Sequence, residues 1–223
     1  ILHIQGDESW VNRSGSDFTT LQVRVKDLNK TVTLGSNQYA ISPNGTFWIT
    51  TDNENYNYVF DVNGDTNGYL TLNLDPNCSY TTGKQYWIAG VRNDNCYVET
   101  NSSTNFTYYI VGDLITQITE PDGEKYLKGT NITIRGNVSD ECNNYVEGVQ
   151  VSFENIKGST IYECSPVLEE GLGWYNCTFN TSSYETQWWD IRMNVSKLPY
   201  YNNFTTTKQM HSGLRLTHYF LLL

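Results

Sequence analysis

Twelve asparagines of this chain stand two residues before a serine or threonine with no proline between: Asn12, Asn29, Asn44, Asn77, Asn101, Asn105, Asn131, Asn137, Asn176, Asn180, Asn194 and Asn203. That spacing brings a hydroxyl to a carboxamide nitrogen and is the acceptor signature for N-linked sugar. The chain has 25 Asn in 223 residues, and chance neighbours would make roughly five such sites. The excess points to glycosylation. The plainer alternative is that Asn and Thr simply fill exposed strand positions.

The five cysteines carry the next possible chemistry. Cys78 and Cys96 lie at the two ends of the stretch that contains Trp87. A bridge between them would close a loop of about 19 residues and stabilise by roughly 3 kcal/mol in the chain-entropy view. Cys142, Cys164 and Cys177 leave one over. Cys164 and Cys177 fall on adjacent predicted strands around the turn Glu169-Glu170-Gly171, so the expected pairs are Cys78–Cys96 and Cys164–Cys177, with Cys142 free. Sequons and cysteines together imply an oxidising, secreted or cell-surface setting.

Other site chemistry is thin. No cofactor is expected. Zinc is not, since no C-x-x-C occurs and His3, His211 and His218 lie near the ends. Asp61, Asn63 and Asp65 put oxygen donors at alternate positions, which is a weak calcium pattern; a polar hairpin turn before Tyr69 is the favoured reading. No nucleophile elbow, H-E-x-x-H or phosphate loop appears, and Glu169-Glu170 reads as solvated turn charge, so no enzyme is expected. A net charge of −10 argues against nucleic acid as a partner, because phosphates would be repelled. No run of about 18 apolar residues exists to span a membrane.

Aromatic and terminal residues complete the candidates. Trp10, Trp87 and Trp189 are expected in the core. Trp174 and Trp188 fall in the outward phase, where they could stack on sugars or on another copy of the chain. Both ends are apolar: Ile1, Leu2 and Ile4 at one, and Tyr219, Phe220, Leu221, Leu222 and Leu223 at the other. The chain opens on Ile1, as a processed chain or a piece of a longer one does. A terminal strand of that kind either completes its own sheet or completes one in a neighbouring molecule.

These residues need elements to hold them, and the composition selects strands. Charged residues are 17%, and Tyr, Thr and Asn abound. Period-two alternation runs through Leu21, Val23 and Val25, then Leu70, Leu72 and Leu74, then Trp87, Ala89 and Val91. It returns in Ile132, Ile134 and Val138, in Tyr175, Cys177 and Phe179, and in Trp189, Ile191, Met193 and Val195. No window has helical periodicity. Asn131, Asn137, Asn176, Asn180 and Asn194 fall in the outward phase, where a glycan could project.

The pattern is also written twice. Gln85-Tyr86-Trp87 returns as Gln187-Trp188-Trp189, Asn105-Phe106-Thr107 as Asn203-Phe204-Thr205, and Gly68-Tyr69-Leu70 as Gly173-Trp174-Tyr175. Trp10 takes the place of Tyr126. A period of about a hundred residues divides the chain into repeats 1–112 and 113–223, each large enough to close its own core. The expected fold is all-β: two tandem antiparallel sandwiches with almost no linker, which together would behave as a stiff rod.

The run "GTNITIRGNVSDECNNYVEGVQVSFEN" followed by "GLGWYNCTFNT" resembles the Ig-like repeats of bacterial and archaeal surface proteins. The likeness covers residues 114–207 well and 10–114 more loosely, and the loop wording looks archaeal. It departs after Lys208, where "QMHSGLRLTHYFLLL" replaces the expected strand ending. The resemblance implies tandem Ig-like sandwiches serving as surface-layer pieces, adhesin stalks or filament subunits. The expectation is a heavily N-glycosylated structural subunit that binds copies of itself head to tail through its terminal strands. The alternative is an adhesin stalk or carbohydrate-binding module, with surface glycans as the partner of Trp174 and Trp188.

Overall fold

The computed structural model describes residues 1–35, 37–201 and 203–213. The chain divides into two compact units, Ile1–Gly112 and Asp113–Leu223.

In chain order the first unit contains β1 (Leu2–Gln5), β2 (Ser9–Asn12), β3 (Thr19–Arg24), α1 (Leu28–Leu34), β4 (Asn44–Ile49), β5 (Tyr58–Asn63), β6 (Tyr69–Leu74), β7 (Gly83–Val91), β8 (Thr100–Asn101) and the opening residues of β9 (Phe106–Glu120). One sheet has the order β1-β3-β6. The other runs β5-β4-β7-β9, and β2 lies parallel to β9 on its far side. The two-residue period of the sequence sends alternate side chains inward. Leu21, Val23 and Leu70 from one sheet meet Phe47, Ile49, Trp87, Tyr108 and Ile110 from the other, all fully buried. Burying a large apolar side chain contributes on the order of 1.5–3 kcal/mol, so this interface dominates the unit's stability.

The second unit takes the remainder of β9 and adds β10 (Lys125–Leu127), β11 (Asn131–Asp140), β12 (Gln150–Lys157), β13 (Thr160–Cys164), β14 (Val167–Gly171), β15 (Trp174–Asn180), a 3-10 turn at Thr181–Ser183, β16 (Trp188–Ser196), β17 (Tyr200–Tyr201) and β18 (Asn203–Gly213). Its sheets are β14-β15-β11-β9 and β13-β12-β16-β18, with β10 parallel to β18. The main pairings of the first unit have counterparts here: β3 with β6 becomes β11 with β15, β7 with β9 becomes β16 with β18, and parallel β2 with β9 becomes parallel β10 with β18, while the short β8 on β7 has none. Strand order is therefore repeated, and Trp10 and Tyr126 do occupy equivalent strands, but two of the repeated motifs differ in register: Trp87 faces Phe106, whereas Trp189 faces Met210 and Phe204 faces Asn194. The core gathers Ile132, Ile134, Val138, Phe153, Cys177, Trp189, Ile191 and Met193.

Several expectations are corrected. Helix α1 is present: the Asp27 carboxylate accepts from the Lys30 N–H at 3.0 Å, and Gly35 closes it in a left-handed conformation. None of its side chains is buried, so the local caps make it and no apolar stripe announces it. Trp10 is not in the core. It is 58% exposed and stacks on Tyr109 at 4.6 Å, because β2 is an edge strand whose parallel partner sets that side chain on the outer face.

The cysteine pattern differs too. Cys96 is free and exposed, so the expected Cys78–Cys96 bridge does not exist. The nine residues of β7 separate the two positions. At about 3.3 Å per residue that strand is close to 30 Å long, so only its flanking loops could have brought the two cysteines within the roughly 7 Å that a bridge tolerates between Cα atoms. Cys142, expected free, is disulfide-bonded, as is Cys78. Counting cysteines repeat by repeat put the odd thiol in the wrong half. Cys164 and Cys177 are bonded, with Cα atoms 6.0 Å apart. They belong to opposite sheets rather than adjacent strands, since Cys164 ends β13 and Cys177 is central in β15. The bond thus crosses the core of the second unit.

Candidate functional site

The outer face of β11 and β15 collects more candidate residues than any other described surface. Ile132, Ile134 and Val138 point into the core, which leaves Asn131, Thr133, Arg135 and Asn137 outside. On β15, Tyr175, Cys177 and Phe179 point in, and Trp174, Asn176, Thr178 and Asn180 point out. The register places Asn131 opposite Asn180, Thr133 opposite Thr178, Arg135 opposite Asn176 and Asn137 opposite Trp174. Four sequon asparagines thus stand in two columns on one sheet face, beside an aromatic ring.

A charged clasp orders this face. The Arg135 guanidinium donates from Nε to Glu170 Oε2 at 2.9 Å and from Nη2 to the same oxygen at 2.6 Å, and it lies 4.2 Å over the Trp174 ring. The Asn176 amide nitrogen donates to Glu170 Oε1 at 2.5 Å. Hydrogen bonds from Arg135 and then Asn176 hold the Glu170 carboxyl below its usual range, and the same contact raises Arg135. Glu169 accepts from the Gly148 N–H at 2.8 Å and from the Tyr175 hydroxyl at 3.0 Å. Burial pushes that phenol up to about 12. Glu169 and Glu170 thus lie on strand β14, not in the solvated turn expected from sequence, and both carboxylates hold neighbouring segments together.

At the far end of the face, Asn180 and Asn131 join directly, Nδ2 to Oδ1 at 2.8 Å. Asn180 also donates to the Gly129 carbonyl at 3.3 Å and accepts from the Ser182 N–H at 2.8 Å. The equivalent face of the first unit has no sequon. There Thr20 bonds Asn73 and Gln22 bonds Thr71, each at 2.9 Å, while Arg24 lies over Tyr39 and Tyr69.

Of the remaining sequons, Asn194 on β16 donates to Ser152 Oγ at 3.2 Å, and Asn203 on β18 donates to the Leu114 carbonyl at 2.6 Å. Both line a shallow groove of about 480 Å³ with Gln150 and Ser196. In the first unit Asn29, Asn77, Asn101 and Asn105 are exposed, and Asn12 and Asn44 are half-buried. None of the twelve is buried, whereas Asn155, which lacks the sequon, is fully buried.

Trp174 and Trp188 are not brought together. Trp174 belongs to the β14-β15-β11-β9 sheet and Trp188 to the other, so their outward rings face away on opposite sides of one sandwich. Asp61 accepts from the Thr46 hydroxyl at 2.6 Å, Asn63 is exposed at the end of β5, and Asp65 Oδ1 accepts from the backbone N–H groups of Asn67 and Tyr69. Among the described residues no group of three His, Cys, Asp or Glu is placed to hold a metal ion. Ile1 packs on the first unit's core, while Leu2 and Ile4 are 41% and 40% exposed on β1, which is paired to β3 within the unit. Tyr219, Phe220, Leu221, Leu222 and Leu223 lie outside the described residues. No helix among the described residues is long and apolar enough to cross a membrane.

Two features of these surfaces escaped sequence reading: the Arg135–Glu170–Trp174 clasp and the Trp10–Tyr109 stack. The only available signal was strand register, which a single sequence does not disclose.

The sequence matches no protein-family model and no curated protein. Among solved structures, an I-band fragment of titin aligns over 96% of this chain and 64% of that one, at 10% identity and a TM-score of 0.50. The adhesin InvE of Yersinia pseudotuberculosis aligns over 91% of this chain and 56% of that one, at 14% identity and a TM-score of 0.42. Fibronectin(III)-like modules of Clostridium thermocellum CbhA align over 93% and 90%, at 9% identity and a TM-score of 0.34. The chain spans less than two thirds of the titin fragment and of the adhesin. The titin likeness is one of fold, and with the topology above it makes both units Ig-like β-sandwiches. Nothing in these likenesses points to an archaeal source.

Proposed function

We propose that this chain is an N-glycosylated structural protein of the cell exterior, a subunit of an extracellular filament or surface layer that associates with copies of itself end to end. The observation that carries this reading is the position of the sequons: all twelve asparagines reach solvent, those on β11, β15 and β16 alternating with buried core residues. Disulfide bonding supports an oxidising compartment. Tandem sandwiches of one topology suit mechanical duty, each unit having its own closed core. For the contact between copies, β1 offers an edge that is unpaired among the described residues, with Leu2 and Ile4 outward.

A sugar-binding site built jointly from Trp174 and Trp188 finds no support in their placement on opposite sheets. Electron microscopy of native secreted material, unreduced and dilute, tests the proposal: continuous fibres or ordered sheets are expected, and discrete particles at every concentration would refute self-assembly. Deleting residues 214–223 and, separately, replacing Leu2 and Ile4 with Lys then reports which end forms the contact.

A further inference from the structure

The atom that N-glycosylation modifies is the carboxamide nitrogen, and the outer face of β11 and β15 treats its four candidate nitrogens unequally. An asparagine amide carries two hydrogens. Asn180 donates to two acceptors, the Gly129 carbonyl and Oδ1 of Asn131, while its own oxygen caps the turn Thr181–Ser183 through the Ser182 N–H. Asn176 donates to Glu170, whose carboxylate is itself gripped by Arg135. Asn131 engages only its oxygen, and Asn137 makes no side-chain hydrogen bond among the described residues.

We propose that Asn131 and Asn137 carry the glycans of this face and that Asn176 and Asn180 stay unmodified; the inference rests on the reading that the sequons are used at all. Sugar transfer forms a bond from Nδ2 to C1 of the sugar. The bond from C1 to the phosphate leaving group of an activated sugar donor breaks, and one amide proton departs to a base. At Asn131 and Asn137 the lost hydrogen is bonded to nothing among the described residues. At Asn180 one of two hydrogen bonds must be surrendered, and at Asn176 a sugar bonded to the nitrogen must share it with a charge-assisted contact, the stronger kind, beside the Arg135–Glu170 pair. Register reinforces this division. Asn131 and Asn180 are directly opposed, with Cβ atoms about 5 Å apart, so a sugar on one fills the space the other's would need.

Site-resolved mass spectrometry of glycopeptides from the native secreted protein tests the assignment. Glycan on the Asn131 and Asn137 peptides with unmodified Asn176 and Asn180 is expected. Occupancy of Asn176 or Asn180 equal to that of Asn131 overturns the inference while leaving glycosylation standing. Absence of sugar from all twelve sites overturns the underlying reading instead. Two variants separate amide bonding from crowding. Thr133→Ala abolishes the Asn131 sequon but keeps the acceptor for Asn180, so Asn180 stays unmodified. Asn131→Ala removes both, so glycan appears at Asn180. Modification of Asn180 in both variants, or in neither, refutes the role given to its hydrogen bonds.

Discussion

Gln85 is a fully buried amide whose every polar site is used, and its repeat partner Gln187 supplies a control within the same molecule. The Gln85 Oε1 accepts from Thr50 Oγ1 at 2.9 Å and from the Asn53 N–H at 2.8 Å. Its Nε2 donates to the carbonyl and hydroxyl of Thr81, both at 3.0 Å. Gln187 is half-buried, and its amide reaches exposed Glu185 at 3.3 Å. Gln85→Met keeps the volume and removes the hydrogen bonds. Each bond contributes about 1 kcal/mol net. Thr50 can turn toward the Tyr86 carbonyl at 3.4 Å, and Asn53 and Thr81 can regain water, so the four bonds together amount to about 2–3 kcal/mol. At 1.4 kcal/mol per factor of ten, protected amides of the first unit should exchange with solvent roughly 30- to 150-fold faster. Hydrogen exchange read by mass spectrometry localises the effect: peptides from β7 and β9 speed up, peptides from β16 and β18 do not, and Gln187→Met changes neither. An acceleration below about threefold for Gln85→Met, or an equal effect of Gln187→Met, would refute the claim that the buried network makes the two glutamines unequal.

Removing the bridge across the second unit, with Cys164→Ser and Cys177→Ser together, should destabilise that unit by about 3 kcal/mol, as expected for a loop of this length; hydrogen exchange confined to β11–β18 peptides checks it. Gly68→Ala and Gly173→Ala should each destabilise by more than about 1 kcal/mol. Both glycines have positive φ, and an added Cβ would sit 2.8 Å from the Ala40 carbonyl at one and 2.6 Å from the Val138 carbonyl at the other, so thermal melting should show loss in both halves of the repeat. The Glu170–Arg135 contact gives a pH signature. The folded carboxyl is held below its unfolded value, so its stabilisation is full above the ordinary carboxylate range and disappears as pH falls through the lowered folded value. Unfolding midpoints of the wild type and Glu170→Gln should therefore differ at neutral pH and converge in acid; a gap that persists in acid would exclude the ion pair as its source.

Strand content, the alternation of Ile132, Ile134 and Val138 against Asn131, Thr133 and Arg135, and the doubling of Gln-x-Trp and Gly-aromatic motifs were all legible, because each is local or compares the chain with itself. So was the outward phase of the strand asparagines. Cys96 and Trp10 were not, because each depends on distance or partnership across the fold. Helix α1 is an intermediate case: Asp27 and Gly35 are readable caps, yet seven residues without a buried side chain leave no periodicity to notice.

By itself, the order of residue types determined two all-β repeats and a set of solvent-facing sequons, since a period of two and a repeat of about a hundred residues are properties of the chain alone. Tertiary structure decided which residues meet. It set Asn131 against Asn180 and Arg135 between Glu170 and Trp174, parted Trp174 from Trp188 onto opposite sheets, and carried the expected Cys164–Cys177 bond between sheets instead of between adjacent strands. The physical reason is that register and sheet assignment arise from packing two sheets face to face, and a strand's own sequence names its inward face without naming its neighbour.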